Sequence, residues 1–266
     1  MKDSIVKVKN KIPGPLNILL VEDNLLNVKL MAVLFAQHSM HLQVAANGME
    51  AVEKIKNNNF DMVLMDMEMP VLNGYQATAI IRNELKNNVP IIAMTANTLP
   101  GEKDRCLQLG MNDYMAKPID ADLLLKSIEK LTRIRKPVSK KTGITKFNTP
   151  AVVTDKVCKL DYLVTVTRGN KKMINNIVGV FMEETPAELS ALHDAIKKIN
   201  YTGISNISHK IKSSFSILGI SMLEHVFAEM EHLGTNATGI EKIIMLNRHI
   251  NLVFNRARVE MQQHIN

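Results

Sequence analysis

Short apolar runs alternate with amphipathic stretches through the first half of the chain. Asn17-Ile18-Leu19-Leu20-Val21 comes first. His41–Ala45, Met62–Asp66, Val89–Met94 and Asp113–Ala116 follow. Apolar runs of this length without internal charge are the pattern of strands buried on both faces of a parallel sheet. The stretches between them carry helical periodicity. Leu25–Gln37 predicts a helix with Val28, Met31, Ala32 and Phe35 on one face. Asn47, with Glu50 three residues on, predicts a capping box opening a helix through Ala51, Val52 and Ile55. Further helices are predicted through Ala77, Ile80 and Ile81, and around Cys106 and Leu109. A last one is capped by Asp120 and carries Leu123, Leu124, Ile128 and Leu131. Five strand–helix alternations predict a doubly wound, five-stranded parallel α/β sheet with helices on both faces.

The period changes after residue 156, where alternation is scarce. A long helix is predicted from Lys172 to about Lys198, with Thr185-Pro186 as a candidate kink. Others are predicted over Tyr201–Leu218, Met222–His232 and from Ile240 to about Met261, with Gly219 and Gly234 as punctuation. Amphipathic helices with short connections predict an all-α antiparallel four-helix bundle. The expected layout is an α/β domain over 15–133, a linker over 134–156 and a helical domain over 157–266.

Composition adds little to this picture except in its charge. The 266 residues carry a net charge of +7, which raises the question of nucleic acid. Residues 133–156 hold seven Lys/Arg against one acidic residue, so the surplus marks a solvated basic tether and not a folded face. No helix-turn-helix signal follows the sheet, and no nucleic-acid partner is expected. No apolar stretch approaches the roughly 20 residues needed to cross a bilayer. The Lys-rich start lacks the apolar core of a secretory signal, so a soluble, cytoplasmic chain is expected. Cys106 and Cys158 show no metal or disulfide spacing, which fits a reducing compartment.

The candidate chemistry lies where the strands end. Glu22-Asp23, Asp66, Thr95 and Lys117 close strands one, three, four and five. Parallel strands place their carboxyl ends on one edge, where ligands of open α/β sheets bind. Pro70 and Asn73-Gly74 stop the third strand, which leaves Asp66 at the mouth of a loop. Clustered carboxylates repel and hold raised pKa values unless a cation joins them. An oxygen-only set of this kind suits Mg²⁺. A carboxylate nucleophile, a divalent ion, an ammonium and a hydroxyl together make a phosphoryl-accepting site. Ala96 leaves room for the donor.

These stretches, with Asp66-Met67-Glu68-Met69-Pro70, Thr95-Ala96 and Lys117-Pro118, resemble the response-regulator receiver domain over about residues 15–133. The resemblance implies an aspartyl phosphate on Asp66. It implies Mg²⁺ held by Asp23, Asp66 and the backbone carbonyl of Glu68, with Glu22 acting mainly through water. Tyr114 matches an aromatic position that changes rotamer in that family, with plain packing as the other reading.

In the helical half, Ile204, Ile207, Ile211, Phe215 and Leu218 form a core stripe on Tyr201–Leu218. His209 lies about 200° from both Ile207 and Ile211, since each residue turns about 100°. It is expected to point outward as an accessible imidazole, with Lys212 and Ser213 on its face. Such a nitrogen can hold a phosphoryl group. His209-x-x-Lys212 with Gly219 in a helical bundle resembles the histidine-containing phosphotransfer domain over about 157–266. The resemblance implies His209 as phosphoryl carrier and Lys212 as its electrostatic support. Ser213 stands where that family most often has glycine.

Together these resemblances imply Mg²⁺-dependent phosphorelay between Asp66 and His209, or between each of them and a partner. The expected partners are a cognate sensor histidine kinase and a downstream response regulator. No ATP-binding glycine-rich loop or second histidine-bearing dimerisation segment is visible. The chain is expected to be the C-terminal part of a hybrid kinase or a free-standing relay protein. Two other classes stay open. A Mg²⁺-dependent phosphatase would need a second aspartate where Glu68 stands, and would turn over small phosphoesters. A docking module with vestigial phosphorylation would not bind Mg²⁺.

Overall fold

The computed structural model describes residues 15–38, 40–96, 101–132 and 156–265. The Lys-rich start, Asn97–Pro100 and all of the expected 134–156 tether but its last residue lie outside the described residues.

The first half builds five strands: β1 (Asn17–Val21), β2 (His41–Ala45), β3 (Met62–Asp66), β4 (Ile91–Thr95) and β5 (Asp113–Ala116). They pair in parallel in the order β2-β1-β3-β4-β5. This is the flavodoxin-like order, with its switch point between β1 and β3. The central strands β1, β3 and β4 are almost wholly buried, as their apolar runs require, with Asp66 the one charged residue at the end of β3. Five helices flank them: α1 (Leu25–Ala36), α2 (Gly48–Asn57), α3 (Gly74–Asn83), α4 (Glu102–Gln108) and α5 (Ala121–Thr132). Asn47 caps α2 through the Glu50 amide, and Glu50 reaches back to the Ala46 amide. Asn73 and Gln76 form a full capping box on α3. Gly74 is required there, because a Cβ would run into the carbonyl oxygen of Asp66.

One helix departs from its expected face. The buried residues of α1 are Leu26, Asn27, Leu30, Met31, Leu34 and Phe35, whereas Ala32 is exposed and Val28 half-buried. The reason is tertiary. α1 is apolar around most of its circumference, and such a helix is buried on more than one side. It packs on the sheet and also against the helical half.

That half contains α6 (Asp161–Thr167), α7 (Lys171–Lys197), α8 (Tyr201–Ile217), α9 (Glu224–Thr235) and α10 (Ile240–Ile265). A 3-10 turn at Ser221–Leu223 leads into α9. α7 runs unbroken through Pro186. α7, α8, α9 and α10 pack as neighbours around a ring, and their short connections make successive helices antiparallel. α6 has no counterpart among the helices that the periodicity predicts. It packs on α1 and α7 and joins the halves. Gly219 sits at φ +65° after α8, where a Cβ would meet the carbonyl of Lys159. The motif glycine is therefore a structural cap.

The bundle core is built around Phe215. Its ring packs edge-to-face on Phe181 and Phe227, at 5.3 Å between centroids in each case. Replacing Phe215 with alanine empties a site that is 1% exposed. The expected loss is about 3–5 kcal/mol, read from urea unfolding of the helical half. A loss below about 1 kcal/mol would mean that the bundle collapses around the void.

Candidate functional site

The strand ends converge as their parallel order requires. Lys117, following β5, reaches back across the edge of the sheet. Its Nζ lies 2.6 Å from Asp66 Oδ2 and 2.8 Å from Glu22 Oε2. The other oxygen of Glu22 accepts from Asn27 Nδ2 at 2.8 Å. The amide of Glu68 donates to Asp66 Oδ1 at 3.2 Å, which fixes the carboxylate at the mouth of the turn. Carboxylate oxygens of Glu22, Asp23 and Asp66 come within 4.8 Å of one another. Thr95 ends β4 one residue beyond Met94, the partner of Asp66 in the ladder, and is buried. The Lys117–Pro118 peptide is cis.

The electrostatics follow from crowding. Burial pushes Glu22 above the usual carboxylate range and the nearby Asp66 charge adds to the rise, against the pull of Lys117. Asp23 rises for the same reasons, burial first and then the charge of Glu22. Burial disfavours the Lys117 ammonium, but Asp66 and Glu22 outweigh it and hold its pKa above the ordinary lysine value. One ammonium thus partly offsets three clustered carboxylates. Such a set suits a hard divalent cation. The side chain of Glu68 stands outside this cluster and points elsewhere.

It points at His209. The imidazole Nδ1 lies 2.8 Å from Glu68 Oε2 and 3.5 Å from Glu231 Oε1 of α9. Lys212 Nζ takes the other oxygen of Glu231 at 3.2 Å. The sequence placed His209 on the face of α8 opposite the core stripe, and that face holds. Its expected accessibility does not, for the residue is only 6% exposed. The receiver-like half covers it. Burial disfavours the imidazolium, but Glu231 and Glu68 more than compensate and raise its pKa to about 10. Glu68 in turn is held below the usual carboxylate range by His209, against the cost of its partial desolvation.

The surface that brings the halves together is apolar with few polar contacts. α1 packs against α6, α7 and α8, and its buried side chains join one continuous core with the bundle. Asn24 Nδ2 donates to the Lys210 carbonyl at 2.9 Å and to Ser214 Oγ at 2.8 Å. Tyr162 of α6 donates to the Ile119 carbonyl at 2.8 Å. Gln37 donates to the Val166 carbonyl at 3.2 Å. A cavity of about 220 Å³ remains between the halves, lined by Ala96, Lys117, Lys212 and Ser213 among others. Ser213, which stands where the phosphotransfer family most often has glycine, lines this space.

Sequence reasoning located Glu22, Asp23, Asp66, Thr95, Lys117, His209 and Lys212, and the structure brings both clusters to one interface. It missed Asn24, Asn27 and Glu231. Asn24 carried a cap signal just after strand one. Glu231 carried none, because its position beside His209 depends on how α9 packs on α8.

The family model of the response regulator receiver domain matches residues 18–129, and that of the Hpt domain matches residues 176–244. The chain is 26% identical over 232 residues to the signal transduction histidine-protein kinase BarA of Escherichia coli, covering 85% of this chain and 24% of that protein. It is 42% identical over 126 residues to hybrid signal transduction histidine kinase B of Dictyostelium discoideum, covering 42% of this chain and 6% of that one. The chain thus spans about a quarter or less of these relatives. A solved receiver domain of sensor histidine kinase PA1611 from Pseudomonas aeruginosa, with a magnesium ion in its active-site cleft, is 40% identical. That likeness has a TM-score of 0.42 and covers 45% of this chain and 99% of that one. Among the described residues no helix is long and apolar enough to cross a membrane. By the order of the family matches along the chain, this protein carries a response regulator receiver domain followed by an Hpt domain.

Proposed function

We propose that this chain passes a phosphoryl group between Asp66 and His209 within one molecule. The observation that carries the reading is the meeting of the two clusters, with Glu68, two residues after Asp66, in contact with His209 Nδ1. With Nδ1 turned to carboxylates, Nε2 is the ring nitrogen left to carry phosphate. In one direction the Nε2–P bond breaks, an Asp66 oxygen bonds to phosphorus, and the imidazole leaves with its Nδ1 proton retained. In the other, the Nε2 lone pair attacks phosphorus and the Asp66 carboxylate leaves. Glu68 and Glu231 set carboxylate charge against Nδ1, Lys117 and Lys212 face the cavity that receives the phosphoryl oxygens, and the covering bundle excludes water.

Glu22, Asp23 and Asp66 would hold Mg²⁺, with Glu68 contributing only its backbone carbonyl as the family resemblance implies. The ion would supply positive charge against the transferring oxygens. The partners we propose are a sensor histidine kinase upstream and a second response regulator downstream, met in the cytoplasm.

The test is phosphate labelling of the full chain with a phosphorylated histidine kinase and Mg²⁺. Acid-stable, base-labile label is expected on Asp66, and acid-labile, base-stable label on His209. Asp66→Asn removes the first and His209→Gln the second. Unchanged labelling in the double variant would end the relay reading.

A further inference from the structure

The residue that begins α1 also grips the phosphotransfer helix. Asn24 is 2% exposed, and each of its amide atoms is used. Oδ1 accepts from the Leu26 amide at 2.9 Å and the Asn27 amide at 3.2 Å, which caps α1. Both protons of Nδ2 leave the receiver domain. One goes to the Lys210 carbonyl and the other to the Ser214 hydroxyl. Lys210 and Ser214 lie one turn apart on α8, and Lys210 directly follows His209.

We propose that Asn24 is a specificity-determining residue: it sets the register of α8 on the receiver, and so lets this receiver recognise the Hpt domain of its own chain through the hydroxyl of Ser214. The inference rests on the phosphotransfer reading and deepens it.

The physical need is alignment. The rest of the surface is largely apolar, and apolar burial has no direction. α8 could slide along α1 at little cost from that term alone. A slip of one residue turns each side chain by about 100° and advances it by about 1.5 Å. That swings His209 away from Asp66. A slip of a full turn restores the face but offers a different carbonyl and side chain. The neighbouring pairs one turn away are Asn206 with Lys210 and Ser214 with Leu218. Neither has a hydroxyl at the second position. Among the registers that keep this face of α8 toward α1, the observed one satisfies both protons of the buried amide, and leaving one unmade costs its full desolvation. Hydrogen bonds are steep in distance and angle, so this contact discriminates registers where the apolar ones cannot.

The experiment uses the full chain with Mg²⁺. Asp66 is loaded from radiolabelled acetyl phosphate, and transfer to His209 is followed as acid-labile label. The rate is expressed relative to labelled Asp66 in the same variant. Ser214→Ala removes the acceptor and suits a helix interior. Asn24→Ser keeps a good helix cap, yet its hydroxyl is too short to span the interface. Each is expected to slow transfer about tenfold, the factor for one buried hydrogen bond. The double variant should be no slower than the slower single, because both changes delete one contact. Single variants within twofold of the unaltered chain, or a double variant whose losses multiply, would overturn the inference. His209→Gln separates the two failures. If it leaves the helical half labelled, the phosphotransfer reading itself is wrong. If it abolishes that label while Ser214→Ala and Asn24→Ser do nothing, only the role of Asn24 falls.

Discussion

Lys117→Met is expected to abolish acetyl-phosphate labelling of Asp66 and to destabilise the receiver domain by roughly 3–5 kcal/mol at pH 8, the cost of removing one partner from a buried ion pair. The ammonium lies within 2.8 Å of both Glu22 and Asp66, and its side chain is 6% exposed. Without it those carboxylates keep their burial and their mutual repulsion but lose their nearest cation. The pH dependence has a definite sign. Glu22 is already held above its ordinary value by burial, and losing Lys117 raises it further. A carboxylate whose folded pKa is raised costs nothing below its unfolded pKa, and its penalty grows from there up to the folded pKa and is constant above it. The deficit of the variant should therefore be largest at pH 8 and narrow toward pH 5. Urea unfolding followed by circular dichroism at the two pH values measures it. A deficit independent of pH, or persistent labelling, would mean that Lys117 does not neutralise this cluster.

Transfer between Asp66 and His209 in the unaltered chain should be independent of protein concentration. Asp66 is 1% exposed and His209 6% exposed, and Glu68 of the receiver domain lies against the His209 ring. A mixture of Asp66→Asn chains with His209→Gln chains leaves one acceptor per chain, so transfer must go between molecules. Tethering supplies an effective concentration of the order of mM. At about 10 μM the mixture should therefore transfer roughly a hundredfold more slowly than the intact chain. Quenched-flow labelling over a dilution series tests both statements. If the rate of the intact chain falls in proportion to dilution, the docked arrangement is not the one that transfers. The contact of Glu68 with His209 means that an outside partner reaches the imidazole only after the domains part. A few hydrogen bonds and the face of α1 hold them together, and interfaces between domains of one chain are commonly of this separable kind.

Much of this protein was legible before any coordinates. β1, β2, β3 and β5 fall where the apolar runs predicted, and β4 begins at Ile91 instead of Val89. Asn47 and Asp120 cap as their spacing indicated. Charge-free runs of five residues have few alternatives to a buried parallel strand, and parallel strands gather their carboxyl ends. Those two facts sufficed to bring Glu22, Asp66 and Lys117 to one place. The helical face of His209 was equally legible, because it needs only the angle per residue.

Burial between domains was not legible. The face of α1, the short helix α6, the approach of Glu231 and the hand-off from Asn24 to Ser214 all depend on a second surface. Periodicity reports which side of an element is apolar, and it is blind to which other element arrives there. His209 shows the division most plainly. Local spacing turned the imidazole away from its own core, and only the packing of α1 on the bundle turned that outward face into an enclosed one, with the carboxylate of Glu68 against its ring.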